Sequence, residues 1–525
     1  MFYLAFAIGV YSYFIFFLGI FGLLYKNIII GFSIIYLFLI LLYFLKFRKF
    51  SFKFRFNSFN SFSKLLIILI SIQAVINFIG VIGPEIGFDA LWYHLTLPKI
   101  FLENHKIFHI SGNLLYYSDM PKNIEMIYIA ALSFNGEILA KLTHFIFGLL
   151  CIFAIYKISR FFLSQNLSLL SSLIFYSNLI VGWESISAYI DLGTTFFELT
   201  AFYAFIKWIK NKNTEYLIYC AVFVGFSVST KMVSLGSIFI YSLLIMLFFQ
   251  KNNIKLNLLL KNLILFLVIS VLISLPWFIF SYLNTGNPFY PALEQMFVLN
   301  NARSIDSLFR NILFPADPIN PIYIILFPLV LIFLKSANSY FKYVAIYVFS
   351  SLIFWLFIVG IGGSRFLLPY LGVFSVLCSL TIDKITNKNI KYYLIGLALV
   401  ISLISIGYRF LANQKYIPYL LKTETKGEFL SNNLNFSFGD FYDVDGYFKK
   451  NINSSNKVLL YGFHNLYYVD FPYIDSSWVK KDDKFNYIAV QKGDIPNRFS
   501  DGKLIYYNKI TKVKLYTNND QLWTY

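Results

Sequence analysis

The chain has 525 residues, of which 58% are hydrophobic and only 13% charged, and its mean hydropathy is +0.65. A composition this apolar excludes a soluble globular protein of this size. The formal net charge of +18 is explained better by basic cytoplasmic loops than by a nucleic-acid partner, so no nucleic acid is expected.

Apolar runs of about 17–25 residues recur from the N-terminus to about residue 410, and each can cross a bilayer as a helix. We predict a polytopic α-helical membrane protein with about thirteen spans, two of them in residues 1–64. The remaining predicted spans are 65–83, 138–157, 167–183, 192–209, 216–231, 233–249, 263–282, 321–335, 343–360, 366–382 and 392–410.

The loop Lys46–Lys64 sets the predicted topology, because it carries six basic residues and no acid. Placing it in the cytoplasm gives a cytoplasmic N-terminus and an extracytoplasmic first outer loop, residues 84–137. Alternation of the later spans then puts the other basic loops inside. The region around Lys231 is predicted as two short helices broken by STKMVS, and a single helix there would reverse the side of everything after it.

Residues 411–525 have a different composition, rich in Asn, Asp, Lys and Tyr. Alternating stretches such as KVLLYGFHNLYYVDF (457–471) and KLIYYNKITKVKLY (503–516) are typical of strands bounded by turns. We predict a small extracytoplasmic α/β or β domain that follows a transmembrane catalytic region, residues 65–410.

Polar residues concentrate at the predicted outer surface. Charge next to hydrocarbon is costly, so side chains that converge there predict a polar cleft with a chemical task. An amphipathic stretch, Leu91–Asn104, is predicted to lie in the interface plane. The polar residues assigned to this side are Glu85, Asp89, His94, Lys99, the segment Pro121–Glu125, Glu184, Tyr189, Asp191, Lys231, Arg303, Arg310 and Arg365.

Five motifs occur in order: FDALWYHLTLPK, AYIDLGTTFFELTAFYAF, GFSVSTKMVSL, GNPFYPAL and SRFLLPYL. Together they resemble the serial motifs of the GT-C membrane glycosyltransferases, above all the bacterial branch similar to protein O-mannosyltransferases and lipid A aminoarabinose transferases. The resemblance covers roughly residues 65–375. The chain departs from the family pattern in two extra spans before the first outer loop, and in an ExxxD spacing where some members have adjacent Asp and Glu.

The resemblance implies an enzyme that transfers a hexosyl or pentosyl group from a polyprenyl-phosphate donor to a glycan, lipid or protein acceptor outside the cytoplasm, with inversion. Asp89 matches the family's catalytic Asp, with Glu85 as the alternative base. The leaving phosphate needs cations, and an apolar groove beside them would hold the polyprenyl chain. The proposed phosphate ligands are Arg365, Lys231 and Lys99, and the proposed positioning residues are His94, Tyr189 and Asp191.

Structural explanations compete with these roles. Asp89 could cap the helix that opens at Ala90, and Arg365 could be an interfacial anchor. Lys99 could contact lipid headgroups. No cofactor is required, although Mg or Mn is possible if Asp89, Glu85 and Asp191 lie close together.

Three other classes of membrane protein also fit the composition. A transporter or flippase would place polar residues near the bilayer midplane on broken, repeated helices, and neither feature is evident. A polymerase or ligase of lipid-linked polysaccharide would favour arginines and a histidine in a long late loop. A non-catalytic scaffold would not need converging acids and cations. A multi-pass glycosyltransferase of the plasma or inner membrane is therefore the favoured interpretation.

Overall fold

The computed structural model describes residues 1–47, 59–252, 255–292, 317–359, 363–518 and 521–525. Up to residue 413 these residues are almost entirely helical. The helices are α1 (Phe2–Ile20), α2 (Lys26–Phe47), α3 (Ser61–Val81), α4 (Thr96–Glu103), α5 (Asn123–Phe134), α6 (Glu137–Ser159), α7 (Gln165–Tyr176), α8 (Leu179–Glu184), α9 (Asp191–Asn211), α10 (Thr214–Thr230), α11 (Leu235–Lys251), α12 (Leu256–Thr285), α13 (Ile322–Leu334), α14 (Ser339–Phe354), α15 (Leu368–Lys384) and α16 (Lys388–Asn413).

The helices confirm the predicted polytopic architecture, since every predicted span overlaps a helix. Within the described ranges, nine helical segments are long and apolar enough to cross a membrane by length and composition. The other four predicted spans fall on α7 with α8, on α9, on α10 and on α13, which are shorter or more polar. The chain also breaks at Lys231, between α10 and α11, as predicted.

The central helix of the bundle is α9, which is buried along most of its length and packs against α6, α10 and α15. Glu198 lies on this helix, inside the bundle. Its carboxylate accepts hydrogen bonds from the Ser237 hydroxyl at 2.9 Å and from the Tyr347 hydroxyl at 2.6 Å. The sequence predicted no polar group within the bundle, and Glu198 is an exception that joins α9 to α11 and α14.

The first outer loop is fixed where it leaves α3. Lys141 of α6 is fully buried, and its ammonium donates hydrogen bonds to the carbonyls of Gly80, Gly83 and Pro84 at 2.9, 2.7 and 3.1 Å. The last carbonyls of a helix lack intrahelical partners and carry partial negative charge, so a cation there is favourable. This contact sets the direction in which the loop departs.

The predicted amphipathic stretch Leu91–Asn104 is helical in two pieces, a π-helical turn at Ala90–His94 followed by α4. Leu97 and Phe101 are buried in one hydrophobic core with Phe471 of the C-terminal domain. The stretch therefore lies between α5 and the C-terminal domain rather than against lipid, because its apolar face meets protein on both sides.

The C-terminal region confirms the predicted small sheet domain. It contains short helices at α17 (Ile417–Leu420), α18 (Lys426–Asn433) and α19 (Tyr447–Asn451), and the strands β1 (Val458–Tyr461), β2 (Tyr473–Asp475), β3 (Lys484–Phe485), β4 (Tyr487–Gln491), β5 (Lys503–Tyr507), β6 (Val513–Thr517) and β7 (Trp523–Thr524). The main sheet has the order β2-β1-β4-β6-β5, with β1 parallel to both neighbours and β6 antiparallel to both of its own. The strands β3 and β7 form a separate antiparallel pair.

One predicted strand region is only partly a strand. The stretch 503–516 forms the β5–β6 hairpin as expected, whereas in 457–471 only β1 is extended. Residues 462–471 instead form a loop that packs on the first outer loop. The Tyr468 hydroxyl donates to the Glu85 carbonyl at 2.8 Å, so tertiary contacts override the alternating pattern.

Candidate active site

Four predicted site residues meet at the ends of four different segments. Asp89 precedes the π-helical turn, Asp191 begins α9, Lys231 directly follows α10, and Arg365 lies in the 3-10 turn before α15. The Lys231 ammonium lies 2.5 Å from Asp191 Oδ1, and Arg365 Nη2 lies 2.6 Å from Asp89 Oδ2. The helix ends thus assemble two acid–cation pairs at one end of the bundle.

Asp89 is held by contacts from three directions. Its Oδ2 accepts hydrogen bonds from Arg365 and, at 3.0 Å, from the Tyr93 hydroxyl. Its backbone N–H donates to the Tyr189 hydroxyl at 3.1 Å. The side chain makes no capping hydrogen bond to the π-helical turn that it precedes, so the capping alternative has no support in this geometry.

Arg365 forms the hub of the cluster. Its Nε lies 3.8 Å from both Asp191 Oδ2 and Glu184 Oε1, and its guanidinium carbon lies 5.0 Å from the centre of the Tyr189 ring. Within the described part of the chain, Nε has no hydrogen-bond partner and neither does the carboxylate of Glu184. Arg365 therefore offers a buried, unused N–H group next to three carboxylates.

Sequence reasoning noted Glu184 in the motif ESISAYID without assigning it to the site. Its carboxylate is fully buried, 3.8 Å from Arg365 Nε and 4.0 Å from His144 Nε2. The sequence did offer a signal, since Glu184 is an acid between two apolar spans, seven positions before the acid Asp191. The fold, however, was needed to bring it to Arg365.

A cavity of about 350 Å³ opens beside the two pairs, lined by Asp89, Tyr93, His94, Tyr117, Met120, Pro121, Lys122, Glu125, Ile190, Thr230, Lys231, Met232, Val233, Arg365 and Phe366. His94 Nδ1 lies 2.9 Å from Glu125 Oε1, and both side chains are buried. His94 thus belongs to the wall of the cavity and is oriented by an acid from α5.

Lys122 is a further cation of this cavity that sequence reasoning did not select, although it lies in the noted segment Pro121–Glu125. The side chain is almost completely buried. Burial lowers the pKa of Lys122 to about 8, against the opposing attraction of Glu125 and Asp119. The only available signal was a lysine beside a proline in the first outer loop.

Two predicted site residues lie elsewhere. Glu85 accepts hydrogen bonds from the backbone N–H groups of Ile86, Gly87 and Ala188, at 2.9, 2.7 and 2.7 Å. Burial raises the pKa of Glu85, and Lys141 provides the largest opposing effect. Glu85 does not line the cavity; it ties the outer loop to the segment before α9.

Lys99 contacts the C-terminal domain. Its ammonium donates hydrogen bonds to the carbonyls of Tyr467 and Val469 at 3.0 and 2.7 Å, and it pairs with Asp470 at 3.0 Å. The cavity beside Asp89 does not include it. Arg303 and Arg310 lie outside the described residues.

The possible metal site is not supported by the arrangement of the acids. Of the residues that the structure describes, no group of three or more His, Cys, Asp or Glu is placed to hold a metal ion. In the predicted set, Glu85 is engaged by backbone amides, while Asp89 and Asp191 face Arg365 and Lys231. That no cofactor is required, with Mg or Mn possible, stays a prediction.

Comparisons with known proteins agree with the sequence motifs. Residues 126–280 match the family model of dolichyl-phosphate-mannose-protein mannosyltransferase. Across 86% of this chain and 97% of the other, the structure resembles ArnT from Cupriavidus metallidurans. The TM-score is 0.59 at 11% identity for its apo state, and 0.60 at 12% identity for the form bound to undecaprenyl phosphate. No curated protein sequence matches the chain.

These findings confirm the predicted resemblance to the GT-C membrane glycosyltransferases and the predicted fold. The chain is an integral, multi-pass membrane protein with an ArnT-like arrangement of helices and a small C-terminal sheet domain. The matches support the class of glycosyltransferases that use a lipid-linked sugar.

Proposed function

We propose that the protein transfers a sugar from a polyprenyl-phosphate donor to an acceptor outside the cytoplasm, with inversion at the anomeric carbon. One observation carries this proposal: Asp89 and Asp191 meet Arg365 and Lys231 beside a cavity at the ends of membrane helices. Inversion in one step requires a base for the acceptor and cations for the leaving phosphate, and the cavity holds both.

Asp89 is the proposed general base. Oδ2 of Asp89 accepts hydrogen bonds from Arg365 and Tyr93, and the other oxygen, Oδ1, can take the proton of the acceptor. The acceptor oxygen then forms a bond to the anomeric carbon. The bond between this carbon and the phosphate oxygen breaks, and its electron pair stays with the phosphate.

Arg365, Lys231 and Lys122 are the proposed ligands of the departing phosphate. All three line the cavity, and Arg365 has the unused Nε–H group described above. An arginine can bind phosphate through two parallel hydrogen bonds, and a cation placed where charge develops lowers the barrier. We assign to Lys122 the phosphate-binding role that was predicted for Lys99.

The polyprenyl chain is proposed to bind in an apolar groove of about 300 Å³ between α13, α14 and α15. Leu367 and Trp355 line its wall, and Leu367 is two residues from Arg365. An isoprenoid bound there would bury its hydrocarbon while its phosphate reaches the cationic cavity. The undecaprenyl phosphate in the similar ArnT structure supports this class of donor.

His94, Tyr189 and Asp191 are proposed to position the reacting groups. Tyr189 holds the backbone of Asp89 through its hydroxyl and carries the Arg365 guanidinium over its ring. Asp191 neutralises Lys231, and His94 is fixed against Glu125. Each of these contacts restricts the geometry of an acid or a cation that we assign to catalysis.

The test uses purified protein in nanodiscs, a panel of polyprenyl-phosphate sugars as donors and membrane extract as acceptor. Wild-type protein should transfer at least one sugar, and Asp89→Asn should lower the rate by about 10²–10⁴-fold, the usual contribution of a general base. Asp494→Asn is the matched control, since this acid is 89% exposed on the C-terminal domain.

Two results would contradict the proposal. Movement of intact donor across the bilayer of proteoliposomes, without transfer, would favour a flippase. Full transfer by folded Asp89→Asn would keep the enzyme class but assign the base to Asp191 or Glu184.

A further inference from the structure

Four aromatic side chains form a cluster, here named the aromatic shelf, next to the proposed base. Phe88 and Trp92 come from the first outer loop on either side of Asp89, and Phe438 and His464 come from the C-terminal domain. The ring of His464 lies 4.9 Å from that of Phe88 and 4.3 Å from that of Trp92, and Phe438 lies 5.0 Å from Phe88. The shelf thus joins two distant parts of the chain.

The rings of the shelf are held in place by hydrogen bonds and by a tight turn. Trp92 Nε1 donates to the Leu114 carbonyl at 2.8 Å, and the His464 backbone N–H donates to the Gly439 carbonyl at 2.9 Å. Gly439 has φ +108°, and a Cβ there would lie 2.7 Å from His464 Cβ. Glycine is therefore required, and the turn presents Phe438 in a fixed position.

A chain of aromatic contacts links the shelf to Asp89. The Trp92 ring meets Tyr117 edge-on at 5.0 Å, and Tyr117 stacks on Tyr93 at 3.7 Å. The Tyr93 hydroxyl donates to Asp89 Oδ2 at 3.0 Å. A group lying on the shelf is therefore connected to the proposed base through three consecutive rings.

The shelf is accessible although its rings are large and apolar. The side chain of Phe438 is 53% exposed, and the other three are partly exposed. The ammonium of Lys492 lies 5.5 Å from the centre of the Phe438 ring. Exposed aromatic rings with polar neighbours are typical of binding surfaces, because each ring offers a flat apolar face beside hydrogen-bonding groups.

We propose that the aromatic shelf binds a sugar ring of the acceptor, so that the acceptor is a carbohydrate; this rests on the proposed transfer reaction. A pyranose has an apolar face of C–H bonds that stacks on an aromatic ring, and hydroxyl groups around its edge. His464 and Lys492 can hydrogen-bond those hydroxyls. The acceptor held there extends to Asp89, which takes the proton of its reacting hydroxyl while that oxygen bonds to the donor sugar and the donor phosphate leaves.

The C-terminal domain and the first outer loop are held together by contacts other than the aromatic shelf. Lys99 and Tyr468 already connect the C-terminal domain to the outer loop by hydrogen bonds. Phe438 contributes little to that joint, since more than half of its side chain remains exposed. The exposed part of Phe438 is free to contact a ligand.

The test measures glycan binding without turnover. Full-length wild-type protein in nanodiscs, with no donor added, is applied to an array of defined oligosaccharides, with peptides and phospholipid vesicles as parallel probes. The Kd of the best oligosaccharide is then measured for variants. Phe438→Leu, which keeps apolar volume but loses the ring, should weaken binding about tenfold. Phe438→Tyr should bind within about twofold of wild type.

A second variant and a control complete the design. His464→Gln removes the other C-terminal ring while keeping a hydrogen-bonding side chain, and it too should weaken binding about tenfold. Tyr507→Leu is the control, because this tyrosine is 45% exposed on β5 of the same domain, and it should leave the Kd unchanged. Thermal unfolding confirms that each variant is folded.

The outcomes separate this proposal from the proposed function. Three results would reject carbohydrate binding by the aromatic shelf. They are no binding of any oligosaccharide, binding of peptides or vesicles instead, and equal Kd values for Phe438→Leu and Tyr507→Leu. If sugar transfer is then still observed, the enzyme stands with another class of acceptor. Glycan binding that depends on the Phe438 ring, without any sugar transfer, would support the aromatic shelf as a glycan site and contradict the proposed glycosyltransferase function.

Discussion

Two buried acids on α9 differ in what surrounds them. Asp191, the first residue of the helix, pairs with Lys231 and lies 3.8 Å from Arg365 beside a cavity of about 350 Å³. Glu198, about two turns later, accepts hydrogen bonds from Ser237 and Tyr347. Among the described residues, no lysine or arginine pairs with Glu198. Neither acid lines the cavity itself, but Lys231 and Arg365, the two cations next to Asp191, both line it.

The difference indicates which surroundings of a buried acid are typical of a reaction site. Glu198 is satisfied by neutral hydroxyls and joins three helices, so the bundle can hold it without a ligand. The cluster at Asp191 has cations, an unused guanidinium N–H and space for a phosphate. Burial alone therefore does not distinguish the two, whereas cations and an adjacent cavity do.

The largest loss of activity is expected from substitution of Arg365, which lies beside Asp191. Arg365→Gln removes the charge that we propose binds the donor phosphate, so kcat/KM for the donor should fall by about 10²–10³-fold, as for loss of a group that stabilises developing charge. Steady-state transfer assays measure the fall. The control Arg498→Gln removes a guanidinium from the C-terminal domain and should have no effect. Equal activity of the two variants would reject the assignment of Arg365.

The pH profile tests Lys122, on the same cavity. Since burial lowers the pKa of Lys122 to about 8, its positive charge is present below this pH and is lost above it. The kcat/KM for the anionic donor should therefore fall severalfold in the pH unit above that value. Lys122→Arg retains the charge and should move the decline to higher pH. A decline unchanged in Lys122→Arg would assign it to another group.

Glu198 should contribute to the stability of the helix bundle and not to sugar transfer. Glu198→Ala leaves Ser237 and Tyr347 without their acceptor, so the free energy of unfolding should fall by about 1–2 kcal/mol. Thermal unfolding in nanodiscs measures this loss, and Glu198→Gln should lose less. The kcat/KM for the donor should stay within about twofold. A loss of transfer as large as that of Arg365→Gln would remove the distinction between the two acids.

The smallest effect is expected at Lys99. Lys99→Met removes three hydrogen bonds to the C-terminal domain, so this domain should become more sensitive to limited proteolysis, with a stability cost of about 1 kcal/mol. The KM for the donor should be unchanged, while the KM for the acceptor should rise because the shelf loosens. A raised donor KM in a protein with a resistant domain would restore Lys99 as a phosphate ligand.

The sequence was sufficient for the features that depend on local patterns. Span lengths follow from hydrophobic runs, so the placement of Asp89, Asp191, Lys231 and Arg365 at helix ends was predictable. Their convergence at one end of the bundle agrees with the shared side that the basic loops predict, and which side of the membrane this is stays a prediction. The break between two helices at Lys231 was also predictable, because the polar residues of STKMVS separate two apolar runs.

Distant contacts decided what the sequence could not show. Glu85 and Asp89 are four positions apart, and the sequence alone does not distinguish them as candidate bases. In the structure the Ala188 N–H, about a hundred residues later, donates a hydrogen bond to Glu85. Lys122 reaches the cavity only through the path of the outer loop. The alternating residues after β1 resemble a strand, yet they pack as a loop against that same outer loop.

The bond between Lys141 and the end of α3 has a consequence for biosynthesis. The lysine is 61 residues later in the chain than Gly80, one of the carbonyl groups that it holds. During synthesis α3 and the loop carrying Asp89 leave the ribosome first, and the partner of those carbonyls arrives only with α6. We expect the catalytic loop to acquire its shape late, when α6 has entered the bilayer. A nascent chain arrested before residue 141 would expose that loop with its exit from α3 unfixed.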